Sequence, residues 1–181
     1  ESFDYGPCAF MNQYDPNAVF SSIDTQGRYS FGNQGAIIQW NLVRLTEALL
    51  PLIDPSEEQA LIIAKSFIQG FEEEWKRKYE QMMAQKIGFS KADNETERLV
   101  TDLLKLMEQH DTDYTNTFAA LSHAIPNSLS PWEQEAFIEW KAQWNTYAKS
   151  QGESLEERIA LMRRINPVII PRNHLVESIL S

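Results

Sequence analysis

Ala60-Leu61-Ile62-Ile63-Ala64-Lys65-Ser66-Phe67-Ile68-Gln69-Gly70-Phe71-Glu72-Glu73-Glu74-Trp75 decides the class of fold. Ala60, Ile63, Ala64, Phe67, Ile68, Phe71 and Trp75 recur at spacings of three and four, and Tyr79, Met82 and Met83 continue the stripe. That period belongs to an α-helix with one apolar face, and it predicts a single long helix from about Ser56 to Lys86. Glu72/Lys76, Glu73/Arg77 and Glu74/Lys78 stand four apart with the acid first, the favourable orientation on a solvated face. The aromatic members of the stripe read as core packing rather than as a cofactor box.

Outward from this helix the same period repeats. Ile37, Trp40, Val43 (or Arg44), Leu45 and Leu49 predict a buried stripe on a helix from Ala36 to Leu50, ended by Pro51 and Asp54-Pro55. Gly88 stops the long helix, and Leu99, Val100, Leu103, Leu104, Leu106 and Met107 mark another over Thr96–Gln109. Asp111-Thr112-Asp113 supplies the cap of a fourth, which carries Phe118, Leu121 and Ala124-Ile125 before Pro126. Ser130-Pro131-Trp132-Glu133 reads as the start of a fifth, with Phe137, Trp140, Trp144 and Tyr147 on its apolar face. Ser154 opens a sixth that runs to Arg164, with Glu156 and Glu157 early and Arg163 and Arg164 late. Asn166–Pro171 is an extended connector, and His174–Leu180 a last short helix. No strand pair with a hairpin turn stands out, so the expected fold is all-α, an irregular helical array.

Residues 1–35 differ. Pro7, Pro16, Gly6, Gly27, Gly32 and Gly35 interrupt any long period there, which predicts an extended, irregular region ahead of a helical domain at 36–181. The chain has 181 residues, 43% of them hydrophobic and 23% charged, as in ordinary globular proteins. Its formal net charge of −10 opposes a broad phosphate-contacting face, so nucleic acid is not an expected partner. No run is read as a membrane span. Cys8, the single cysteine, allows no internal disulfide and fits a reducing compartment.

Few residues suggest chemistry. His110, His123 and His174 lack metal-ligand spacing, and Cys8 has no evident base. Asp111 and Asp113 can be a carboxylate pair, but capping accounts for both. Arg28, in Gly27-Arg28-Tyr29-Ser30, and Arg172, in Pro171-Arg172-Asn173-His174, each fit either a phosphate or a carboxylate that pins the irregular region to the helices. Asp4-Tyr5-Gly6 by itself reads first as an ordinary turn, and it also places a short hard oxygen ligand before an aromatic and a glycine, the order in which kinases hold Mg²⁺ on ATP phosphates.

The series Asp4-Tyr5-Gly6-Pro7, Phe10-Met11, Tyr14-Asp15-Pro16, Gly27-Arg28-Tyr29-Ser30, Asn33-Gln34 and Trp40-Asn41-Leu42 resembles the selenoprotein O family, protein adenylyltransferases with a pseudokinase fold. Asp113-Tyr114-Thr115, Asn166-Pro167 and Ile170-Pro171-Arg172-Asn173-His174 extend the resemblance over nearly the whole chain. It implies that residues 1–35 correspond to a kinase activation segment and 36–181 to the C-terminal helical part of a kinase-like fold. It also implies that Asp4 binds the nucleotide and its metal, and that the parent transfers AMP from ATP to hydroxyl side chains of proteins. The family places its phosphate-binding lysine, its arginines, its base and its metal-binding Asn before the triplet. The resemblance therefore implies a C-terminal portion that is inert by itself, with neither Mg²⁺ nor ATP expected on it and protein substrates reached through an N-terminal half. Cys8-Ala9, Asn12 and Gly35 depart from the family's usual Phe-Gly, Asp and Pro. A cytoplasmic bacterial setting is expected, or a mitochondrial one in a eukaryote. The alternative is a helical protein-interaction module without nucleotide chemistry.

Overall fold

Helices supply nearly all the regular structure of this protein, seen in a computed structural model that describes residues 10–126 and 129–180. They are α1 (Gln34–Ile53, preceded by a 3₁₀ turn at Phe31–Asn33), α2 (Glu57–Lys86), α3 (Asn94–Gln109), α4 (Tyr114–Leu121), α5 (Glu135–Ser150), α6 (Leu155–Ile165) and α7 (Asn173–Leu180). Among the described residues the only β-pairing is an isolated antiparallel bridge between Gln13 and Asp113. The fold is all-α. Residues 10–30 form no helix, and the chain groups into two compact units, one of Pro16–Tyr79 and one built from 10–15 with 80–180.

The unit at Pro16–Tyr79 holds α1 and most of α2. Pro51 lies inside α1 rather than ending it. A proline removes one backbone donor but keeps helical φ, so Leu52 and Ile53 still follow in the helix; Asp54 then turns extended because Pro55 comes next. Of the stripe expected to be buried on α1, only Ile37 is; Trp40, Leu45 and Leu49 are exposed. On α2, Ala60 and Ala64 are buried, whereas Ile63, Phe67, Trp75 and Tyr79 are exposed. Two helices facing each other cover one face apiece, and the apolar stripes here are wider than that face. The expectation that no run has spanning length also fails: Phe31–Ile53 is a helix of 23 residues in which an 18-residue window has mean hydropathy 1.2, long and apolar enough by length and composition.

The second unit contains the packed core. Leu99, Val100, Leu103 and Met107 of α3 are buried, as are Phe118 of α4, Phe137, Trp140 and Trp144 of α5, and Met162 of α6. Three indoles donate across elements to backbone carbonyls: Trp132 to Thr117 (3.1 Å), Trp140 to Leu99 (2.9 Å) and Trp144 to Ile87 (2.8 Å). Each indole thus buries a large ring and satisfies its only polar atom. Gly88, at φ +88°, follows α2, and a β-carbon there would stand 3.2 Å from Met162.

Boundaries explain the remaining differences. α3 begins earlier than the periodicity suggests because Asp93 and Thr96 form a reciprocal capping box. α4 ends at Leu121, before Ala124-Ile125, and His123 adopts a left-handed φ of 54°. Ser130-Pro131-Trp132-Glu133 does not open α5. The amide of Gln134 closes a turn onto the Pro131 carbonyl at 2.9 Å, which drives Trp132 into the core, and α5 starts at Glu135.

Candidate functional site

Asp4, the residue to which nucleotide and metal binding were assigned on sequence, lies outside the described residues, as does Cys8. The segment that continues from it is described from Phe10, and its surroundings form the best-built polar cluster in the second unit. Met11 and Tyr14 are buried. The Tyr14 amide donates to the Thr112 carbonyl at 2.9 Å, and the Tyr114 amide donates to the Asn12 carbonyl at 2.8 Å. These two bonds form the antiparallel bridge, and the Tyr14 and Tyr114 rings stack 5.7 Å apart beside it.

Arg172 closes the cluster from the far end of the chain. Its Nη1 donates to Asn12 Oδ1 and to Asp113 Oδ2, both at 2.6 Å. Its Nη2 donates to Asp113 Oδ1 and to Asn116 Oδ1, both at 3.2 Å. Asp113 also caps α4, where its Oδ1 accepts the Asn116 amide at 2.7 Å. One carboxylate therefore serves as helix cap and as the partner of a forked guanidinium, and between the two readings of Arg172 the structure shows the carboxylate. Asp111 stands at a left-handed φ of 50°, and the Asp113 carboxylate is engaged by the cap and by Arg172.

Lys86 borders this cluster from the last turn of α2. Its ammonium lies 4.5 Å from the Phe118 ring centre and 5.2 Å from that of Tyr114, and it is buried. Burial pulls its pKa down to about 8. Asn166, from the connector after α6, donates to the Lys86 carbonyl at 2.8 Å.

In the other unit, and among the described residues, Arg28 meets an aromatic ring in place of the expected carboxylate. Its guanidinium stacks 4.2 Å from the Trp40 ring centre, so the loop meets α1 through a cation–π contact. The loop is closed from within by Asp24, whose carboxylate accepts the amides of Arg28 (2.8 Å) and Tyr29 (2.7 Å). Among the described residues no group of three or more His, Cys, Asp or Glu side chains could hold a metal ion. The described part of the site can therefore anchor a loop through charge-assisted hydrogen bonds, and it supplies no metal-ligand set of its own.

Sequence reasoning singled out Arg172 and Asp113 separately but missed their pairing, and it missed Asn12 as a partner. Separations of 59 and 160 residues leave no periodic trace. The cap signal at Asp113 and the fixed arginine after Pro171 were the only hints.

The family model described as "Protein adenylyltransferase SelO" matches residues 1–181. The chain is 43% identical over 181 residues to a "Protein nucleotidyltransferase YdiU" of Geobacillus kaustophilus. It is 42% identical to that of Pseudoalteromonas translucida and 43% identical to that of Shouchella clausii. Each alignment covers 100% of this chain and 37% of the relative, so the chain spans little more than a third of their length.

Proposed function

This chain belongs to the protein adenylyltransferase SelO family, and from that membership we propose that it is the C-terminal helical portion of an enzyme that transfers AMP from ATP to hydroxyl side chains of proteins. The observation that carries the reading is the match over residues 1–181, which includes the Asp4-Tyr5-Gly6 triplet. In this reading Asp4 contributes one carboxylate to the nucleotide and its Mg²⁺, and the remaining groups come from the part of the relatives that this chain does not span. A bound divalent ion would supply charge neutralisation at the phosphates. Met11–Asp15, which continues from Asp4 in sequence, is paired with the residues at the head of α4. A kinase-like arrangement of the whole enzyme and a cytoplasmic setting belong to the same proposal.

Label transfer tests this. The full-length protein containing this chain is expected to pass label from α-phosphate-labelled ATP to protein and none from γ-labelled ATP. Transfer of γ-label, or of neither, overturns the reading. The exposed apolar residues on α1 and α2, Trp40, Leu45, Ile63 and Phe67 among them, favour a second reading as a partner-binding helical module. That module would transfer neither label.

A further inference from the structure

Three pieces of chain that are distant in sequence meet at one guanidinium. Asn12 belongs to the segment that continues from Asp4-Tyr5-Gly6, Asp113 heads α4, and Arg172 follows the extended connector after α6. The fork is shared asymmetrically. Asp113 takes both Nη atoms, while Asn12 takes Nη1 alone. The Arg172 and Asp113 side chains keep only 20% and 25% of their exposure, so water competes weakly for these bonds. The backbone bridge and the Tyr14–Tyr114 stack lie beside the fork, so losing the Asn12 contact loosens the edge at which the segment is paired.

We propose that Arg172 is a positioning residue: acting through Asn12, it latches the segment after the Asp-Tyr-Gly triplet onto the head of α4, and AMP transfer depends on that latch. The functional half of this statement rests on the adenylyltransferase reading above; the latch itself rests on geometry alone. A methionine side chain at 172 keeps much of the arginine's apolar stem and removes every donor, so Asn12 loses its partner while Asp113 still caps α4 through the Asn116 amide. Arg172→Met therefore releases the segment, and Asn12→Ala releases it from the other side with the Arg172–Asp113 pair left in place.

Both variants and their double are made in the full-length protein, with two readouts. Hydrogen exchange in peptides covering residues 10–15 is expected to quicken at least about tenfold in each single variant, with α5 unchanged, as for a local opening. The kcat for AMP transfer is expected to fall by about tenfold or more, since small misplacements near a reacting centre cost that much. The KM for ATP should stay within about twofold, and the double variant should be no worse than the worse single, as for groups acting as one unit. Unchanged exchange overturns the latch. Quickened exchange with unaltered kcat, or kcat losses that only track the fraction of unfolded protein, overturns its role in the reaction. A wild-type protein that transfers no AMP sinks the functional reading instead, and the exchange comparison still decides the latch.

Discussion

The indole nitrogen of Trp75 lies 2.6 Å from the point where a β-carbon on Gly35 would stand. Gly35 is in the first turn of α1, and its missing side chain is what admits the ring from α2. Gly35→Ala is expected to destabilise this unit, since overpacking costs ~1–3 kcal/mol and better helix propensity returns only ~1. In a Trp75→Ala background the same substitution should become stabilising. Urea denaturation of the four proteins checks this, and additive effects would show that ring and glycine do not interact.

How much of this was legible in advance depended on the range of the interaction. The long period at Ala60–Met83 placed α2 to within a residue, and Ser154 with Glu157 placed the start of α6, because both signals are local. Trp132 shows where local signals fail. Ser130-Pro131-Trp132-Glu133 carries good helix-start chemistry, yet the ring has a buried acceptor at Thr117, and tertiary packing overrides the cap. Period alone also could not tell a buried stripe from an exposed one: Phe67 and Phe137 sit in similar patterns, but Phe137 is buried against the His110 and Trp132 rings whereas Phe67 is exposed.

Trp144 should be the most sensitive of the indoles. It donates to the Ile87 carbonyl and forms one face of the stack on Arg158, whose guanidinium lies 4.1 Å from its ring and 4.9 Å from Phe89. Trp144→Phe keeps much of the apolar volume but leaves that buried carbonyl without its donor, a loss of about 1–3 kcal/mol. A midpoint within experimental error of the wild type would mean that the carbonyl has found another partner.

Lys86 makes stability depend on alkaline pH. Its ammonium has an ordinary value of 10.5 when the chain is unfolded and about 8 when folded. Between those values the unfolded chain binds the proton and the folded chain does not, so stability rises with pH across that window. Below it the charged form is disfavoured by ~3 kcal/mol net for a separation of this size, whatever the two ring faces return being already included in it. Lys86→Met should therefore be more stable at pH 7 by on the order of 1–3 kcal/mol, an advantage that shrinks as the pH approaches 10.5. Denaturation curves of the two proteins that stay parallel from pH 7 to 10.5 would show that Lys86 titrates normally in the fold.

Asp4 is the residue on which the proposed chemistry turns, and its asparagine variant separates two roles that an alanine cannot. If Asp4 only closes a turn with Tyr5-Gly6, asparagine serves nearly as well, because both side chains can accept from a backbone amide nearby. If it lends a negative charge to the nucleotide complex, asparagine keeps the shape and loses the charge, and it fails as alanine does. We expect Asp4→Asn in the full-length protein to lower AMP transfer by at least about a thousandfold, comparable to removing a group that stabilises developing charge. The helical core holds its own buried residues, from Leu99 to Met162, so the circular dichroism and thermal midpoint of the variant should match the wild type. An asparagine variant with near-full transfer at saturating Mg²⁺ would leave Asp4 a turn residue and remove it from the site.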